Sequence, residues 1–223
     1  MLKRKPLKER LAEIHNLSVL MSAEELFEEK GYEATTMDEI AYVTGISKTT
    51  IYACFKSKEF IKDSLACKYL EKMRDIAKET LTGNKCFEEK FFDFCFAIEE
   101  LFTVRPFSCN ATLGNFPIDD DQQLYRRLKA AMLDILAEIE RFLEGGKQAG
   151  RVSNDLDLSA AAIMLWSSIT GVITTCINKE GSINFDNRNY TKKGIHDAFD
   201  KRKVNAFCLV YLCERTDYNH SGL

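Results

Sequence analysis

The run Thr36-Met37-Asp38-Glu39-Ile40-Ala41-Tyr42-Val43-Thr44-Gly45-Ile46-Ser47-Lys48-Thr49-Thr50-Ile51-Tyr52-Ala53-Cys54 holds two helix starts with one tight break between them. Thr36 followed three residues later by Glu39 is a capping box. The Thr36 hydroxyl accepts from the Glu39 amide, and the Glu39 carboxylate returns to the Thr36 amide. Ile40, Ala41 and Val43 are expected on the inner face of the short helix that follows. Gly45 supplies the left-handed residue that ends such a helix, and Ser47 is placed to cap a third helix running to Cys54. The turn Thr44-Gly45-Ile46 is too short for the two helices to lie antiparallel. This is the layout of a helix-turn-helix, whose second helix enters the major groove of DNA.

Upstream, a helix is predicted from about Lys8 to Lys30. Val19, Leu20, Ala23, Leu26 and Phe27 recur at the spacing of one buried face, with Glu24, Glu25, Glu28 and Glu29 on the other. Downstream, Ser57 caps a helix to about Leu81, with Phe60, Ile61, Leu65, Tyr69 and Met73 along one stripe. Further helices are predicted at about Cys86–Val104, Asp121–Ala149, Leu158–Asn178 and Gly194–Arg215, with a short one near Cys109–Asn115. The polar stretch Glu180–Tyr190 reads as a loop, and nothing alternates with period two over a convincing length. The expected class is all-α: a three-helix helix-turn-helix domain over residues 1–57 and a larger helical domain over residues 58–223.

Composition narrows the function. The chain has 223 residues, of which 45% are hydrophobic and 29% charged, an ordinary balance for a soluble folded protein. Its formal net charge of −3 provides no global field for nucleic acid, so DNA affinity has to come from a local patch. Cys54, Cys67, Cys86, Cys95, Cys109, Cys176, Cys208 and Cys213 include no CxxC pair, and His15, His196 and His220 lie far apart. That spacing suits free thiols in a reducing compartment rather than a zinc site or a disulfide framework. The start, Met1-Leu2-Lys3-Arg4-Lys5, leads into Glu9, Arg10 and Glu13 with no apolar signal core, and no uncharged apolar run is expected to reach membrane length. A cytoplasmic protein with no membrane contact is expected.

Residues 23–32 (Ala-Glu-Glu-Leu-Phe-Glu-Glu-Lys-Gly-Tyr), with Thr35-Thr36, Ile40-Ala41, Gly45-Ile46-Ser47 and the continuation from Thr50-Ile51-Tyr52 to Lys58-Glu59, resemble the N-terminal domain of TetR-family regulators. At Cys54 the family usually has His or a related residue. Gly150-Arg151-Val152 with Asp155-Leu156-Asp157 and Ala160-Ala161-Ala162 looks like the family's entry into its penultimate helix. The resemblance implies a homodimer that binds a palindromic DNA operator, most often as a repressor. It also implies a small ligand in the second domain that shifts the fourth helix.

The residues themselves locate the contacts. Thr36, Ser47, Lys48, Thr49, Thr50, Tyr52 and Lys58 are the outward polar positions of the motif. Lys48, Thr49 and Thr50 occupy the turn that reaches base edges, while Tyr52 and Lys58 stand where the family contacts phosphate. Lys3, Arg4, Lys5, Lys8 and Arg10 form a basic arm, either solvated or following the DNA backbone. The crowded phenylalanines suggest a pocket for a small hydrophobic or aromatic effector, bordered by Phe91, Phe94, Phe102, Phe107, Met132 and Trp166. Asp119, Asp120 and Asp121 suit a helix start, with a cation site as the alternative. The small residues of Ser159–Gly171, with Val204, Phe207 and Tyr211, fit close helix approach across a dimer. No catalytic constellation, cofactor motif or metal spacing stands out, so an enzyme, like a helical protein-interaction adapter, is a competing class with little support.

Overall fold

A computed structural model describes residues 6–114, 122–177, 182–185 and 188–191. The helices are α1 (Leu7–Lys30), α2 (Met37–Thr44), α3 (Lys48–Cys54), α4 (Lys58–Thr80), α5 (Phe87–Val104), α6 (Pro106–Ala111), α7 (Gln122–Gln148) and α8 (Leu158–Ile177). Among the described residues the fold is all-α apart from one ribbon, in which β1 (Ser182–Phe185) pairs antiparallel with β2 (Arg188–Thr191), Ser182 opposite Thr191 and Phe185 opposite Arg188. The ribbon stands where a loop was expected. Its signal was present but short: Ile183 and Phe185 alternate with polar residues. The helix expected over Gly194–Arg215, the Asp119–Asp121 run and Lys3, Arg4 and Lys5 lie outside the described residues.

The chain forms two compact units. The first holds the described residues up to Leu70 together with Arg105–Gly114 and 122–128; the second holds Glu71–Val104 and the described residues from Lys129 onward. The division falls inside α4 between Leu70 and Glu71, between Val104 and Arg105, and inside α7 between Leu128 and Lys129.

In the first unit Val19, Ala23 and Phe27 of α1, Ile40 of α2, Ile51 of α3, Phe55, and Ile61 and Leu65 of α4 form one core, with Ala41, Ile46 and Phe107 packed against it. Each short helix sends one or two large side chains inward, so none is stable alone and all depend on this cluster. Val43, expected inward, is 52% exposed. In so short a helix only one face meets α1 and α3, and Ile40 fills it.

In the second unit Phe94, Ile98 and Phe102 of α5, Ile135, Ile139 and Leu143 of α7, and Ala162, Leu165, Trp166 and Ile169 of α8 are buried. Leu158–Thr175 is uncharged and, with a mean hydropathy of 1.5, long and apolar enough to cross a membrane by length and composition, contrary to the expectation that no run would be. Ala161, Ala162, Leu165, Trp166, Ile169 and Ile173 put one face of that helix into the core. Its other face carries Ala160, Ile163, Met164, Ser167, Ser168, Gly171 and Val172, all exposed.

Candidate nucleic-acid interface

Local chemistry sets both ends of the helix-turn-helix. The Thr36 Oγ1 accepts from the Glu39 amide at 3.3 Å while the Thr36 amide donates to Glu39 Oε2 at 2.9 Å, which completes the capping box. Lys30 also pairs with Glu39, and these donors, Lys30 foremost, pull the Glu39 carboxyl down to about 2. Gly45 ends α2 at φ +66°, a conformation that other residues adopt at a cost. The Ser47 Oγ accepts from the Thr50 amide at 3.2 Å and lies 2.8 Å from Thr50 Oγ1, so cap and recognition helix are tied together.

What this frame presents outward is polar. Thr36, Ser47, Lys48 and Thr49 are exposed, Tyr52 is 48% exposed, and Thr50 is half-buried. Lys48 forms an ion pair with Asp38, which ties the first turn of α3 to the first turn of α2. The side chain keeps two further N–H donors for a phosphate or a base edge. Tyr42, which the sequence reading passed over, is the most exposed large apolar residue of the unit at 88%. It follows Ala41 at the end of α2, and a phenol at that exposure is better suited to a partner than to water.

Lys58 has a different setting from the others. Its Nζ donates to the carbonyl oxygens of Tyr32 at 2.7 Å and Thr35 at 2.9 Å and sits 4.1 Å from the centre of the Tyr32 ring. The Tyr32 hydroxyl in turn donates to Glu59 Oε1 at 2.8 Å. Burial, then Glu59, pushes the phenol above its ordinary range. The lysine expected at a phosphate thus bridges carbonyls of the turn between α1 and α2.

A second long-range tie involves glutamates expected on the solvated face of α1. Glu24 is buried; Lys68 Nζ donates to it at 3.0 Å and Ser108 Oγ lies 3.2 Å away, with Tyr69 as a further donor. Burial alone would raise the Glu24 pKa, but the Tyr69 and Lys68 hydrogen bonds and the Lys68 and Arg105 charges outweigh it and hold the carboxyl below its ordinary value. Glu28 accepts the main-chain N–H of Phe107 at 3.0 Å and of Ser108 at 3.2 Å. Since Arg105 provides no side-chain cap for α6, a carboxylate from α1 serves that end instead.

The aromatic residues expected around an effector separate. Phe91, Phe94, Phe102 and Trp166 are all buried in the second unit, with the Phe94 and Trp166 ring centres 6.4 Å apart. Met132 is half-buried in α7. Phe107 belongs to the first unit, its ring centre 5.0 Å from that of Phe27 and 5.9 Å from that of Tyr32, so it does not join the other five. Pro106 starts α6 and turns Phe107 inward, a contact that spacing along the chain does not reveal.

The model of bacterial regulatory proteins of the tetR family matches residues 19–61, the span from the middle of α1 into α4. An uncharacterised HTH-type transcriptional regulator of Bacillus subtilis, YhgD, is 30% identical over 152 residues, covering 66% of this chain and 76% of that protein. The negative transcriptional regulator of the icaADBC biofilm operon of Staphylococcus aureus, IcaR, is 29% identical over 133 residues, covering 58% of this chain and 69% of that protein. Among solved structures, the fatty acid degradation regulator FadR of Bacillus halodurans superposes with a TM-score of 0.61 at 18% identity over 88% of this chain and 96% of that one, which shows a common fold. Together with the capped helix-turn-helix, these similarities establish that the chain belongs to the TetR family of bacterial regulatory proteins, DNA-binding regulators of transcription.

Proposed function

We propose that the protein is a repressor that binds a palindromic operator as a homodimer in the bacterial cytoplasm and is released by a small ligand. The observation that carries the DNA reading is the exposed first turn of α3: Lys48 and Thr49 are exposed directly after the Ser47 cap. In this reading Lys48, Thr49 and Thr50 meet base edges, while Thr36, Ser47, Tyr52 and Tyr42 meet sugar and phosphate. Lys58 contributes by holding the α1–α2 turn. Residues 1–57 are the DNA-binding part, and the rest binds ligand and dimerises.

Repression is favoured by the similarity to IcaR, a negative regulator. Dimerisation is supported by the outward face of α8, which is apolar or small and carries no charge. Two such faces meeting about a two-fold axis would place two recognition helices on one DNA, with half-sites about one helical turn apart or a multiple of it. Responsiveness to a ligand requires only that the ligand bind the DNA-competent and incompetent conformations with different affinity. α4 and α7 each contribute residues to both compact units. A gel shift with DNA flanking its own gene tests the reading. A discrete complex that resists excess nonspecific DNA is expected, and no complex at low salt would overturn it.

A further inference from the structure

A half-open groove of about 480 Å³ lies in the second unit, between the end of α4, the start of α5 and the end of α7. That volume is within the range of small-molecule sites. Its floor is aromatic: the Phe87 and Phe142 rings stack with centres 4.2 Å apart and planes 4° apart. The stack depends on Gly146, where an added Cβ would come within 2.6 Å of both the Phe87 ring and the Val152 side chain. Gly145 has no such reason to be glycine, because a Cβ there would meet nothing within 4 Å. A helix interior disfavours glycine, and a second one beside Gly146 adds to that cost. What the missing side chain does is keep the groove open.

The rim carries more cations than carboxylates: Lys85, Lys90, Arg141 and Arg151 border the groove beside Glu88 and Glu138. Lys85 pairs with Asp93 at 2.5 Å, Arg151 with Glu88 at 3.1 Å and Arg141 with the buried Glu138 at 2.8 Å. Lys90 has no carboxylate partner among the described residues. A guanidinium has five N–H donors, more than one carboxylate pair uses. An unmatched ammonium and two forked donors above an aromatic floor have the chemistry of a site for an anion with an apolar body.

We infer that this groove binds a compact organic anion, its apolar body over Gly145 on the Phe87–Phe142 floor and its charged head on Lys90, Arg141 and Arg151. The inference concerns binding alone and stands independently of the repressor reading. Cys86 lines the same groove and is exposed, which places a reporter inside it.

The test uses the full-length protein and two probes. One is 8-anilinonaphthalene-1-sulfonate; the other is N-phenyl-1-naphthylamine, which has the same rings without the sulfonate. The sulfonate probe is expected to bind saturably and to slow alkylation of Cys86 by N-ethylmaleimide, read on the Cys86 peptide by mass spectrometry. The neutral probe should bind roughly ten-fold more weakly, because it forgoes the charge-assisted hydrogen bonds. Lys90→Gln should weaken only the sulfonate probe, and Gly145→Leu should abolish protection while circular dichroism stays helical. Unchanged Cys86 alkylation at saturating sulfonate probe would overturn the inference. Equal protection by the neutral probe would also overturn it, since the groove would then be an apolar trap with no anion chemistry.

Discussion

Lys58 reaches back across the helix-turn-helix to Tyr32, donating to its carbonyl oxygen at 2.7 Å and resting 4.1 Å from the centre of its ring. One ammonium thereby satisfies two carbonyls at the exit of α1, those of Tyr32 and Thr35, and pins α4 to the turn that starts α2. Net stabilisation from hydrogen bonds to a charged group is about 1.5–3 kcal/mol.

Lys58→Ala is accordingly expected to lower unfolding free energy by about 1.5–3 kcal/mol. DNA affinity should fall similarly for all sequences, because the misplaced part is the frame that carries Thr36. Thermal melting followed by circular dichroism checks this. A melt identical to that of the unmodified protein would show that the lysine is a surface group after all.

Acid should unfasten Glu24. Its carboxyl titrates lower in the folded chain than the ordinary value of 4.5, so its contribution is present above that value and is lost as pH falls through the lower folded value. Glu24→Gln should destabilise the protein at neutral pH and flatten the acid limb of its stability curve below about pH 4.5. Urea melts at several pH values would reveal this, and parallel acid limbs in the two proteins would exclude Glu24 as the cause.

Ser47 and Thr49 are expected to separate stability from recognition. Ser47→Ala removes the cap of α3 and should cost about 1 kcal/mol of folding stability as well as DNA affinity. Thr49 is exposed and has no cap to maintain. Thr49→Ala should leave the melt unchanged and cost about 1–3 kcal/mol on the preferred operator, less on other DNA. Equal losses on specific and random duplexes would place Thr49 on the backbone rather than on a base.

The outward face of α8 should be the dimer contact. Ile163, Met164 and Val172 are each at least 47% exposed, and the face between them is small or hydroxylated. A stable interface buries more than about 1,000 Å² in total, which such a face can supply only with a second apolar surface against it. Met164→Glu should yield monomers in light scattering at micromolar concentration. A dimer that survives both Met164→Glu and Val172→Glu would place the contact elsewhere.

Local rules were sufficient for much of this protein. The Thr36–Glu39 capping box, the Ser47 cap and the glycines that end α1 and α2 involve partners within a few residues, and the sequence reading located them and most helix ends. Helix existence follows from periodicity and caps, both properties of a short window. The outward position of Thr36, Ser47, Lys48, Thr49 and Tyr52 follows from the same windows, since an inner face once assigned defines the outer one.

What the windows could not contain is which distant group a long side chain meets. Glu24 and Glu28 look like solvated residues of α1 until α6 arrives some eighty residues later and offers them Ser108 and Phe107. Phe107 looked like part of an effector wall, yet Pro106 turns it into the core with Phe27. Lys58 is polar and stands at a helix start, as a phosphate contact would, and tertiary folding brings the carbonyls of Tyr32 and Thr35 within its reach. Val43 fits an inner face by periodicity and is nevertheless exposed. A backbone hydrogen bond inside a helix is closed by neighbours that the sequence names, whereas burial and ion pairing depend on which segments share a volume. That sharing is decided only when the whole chain packs.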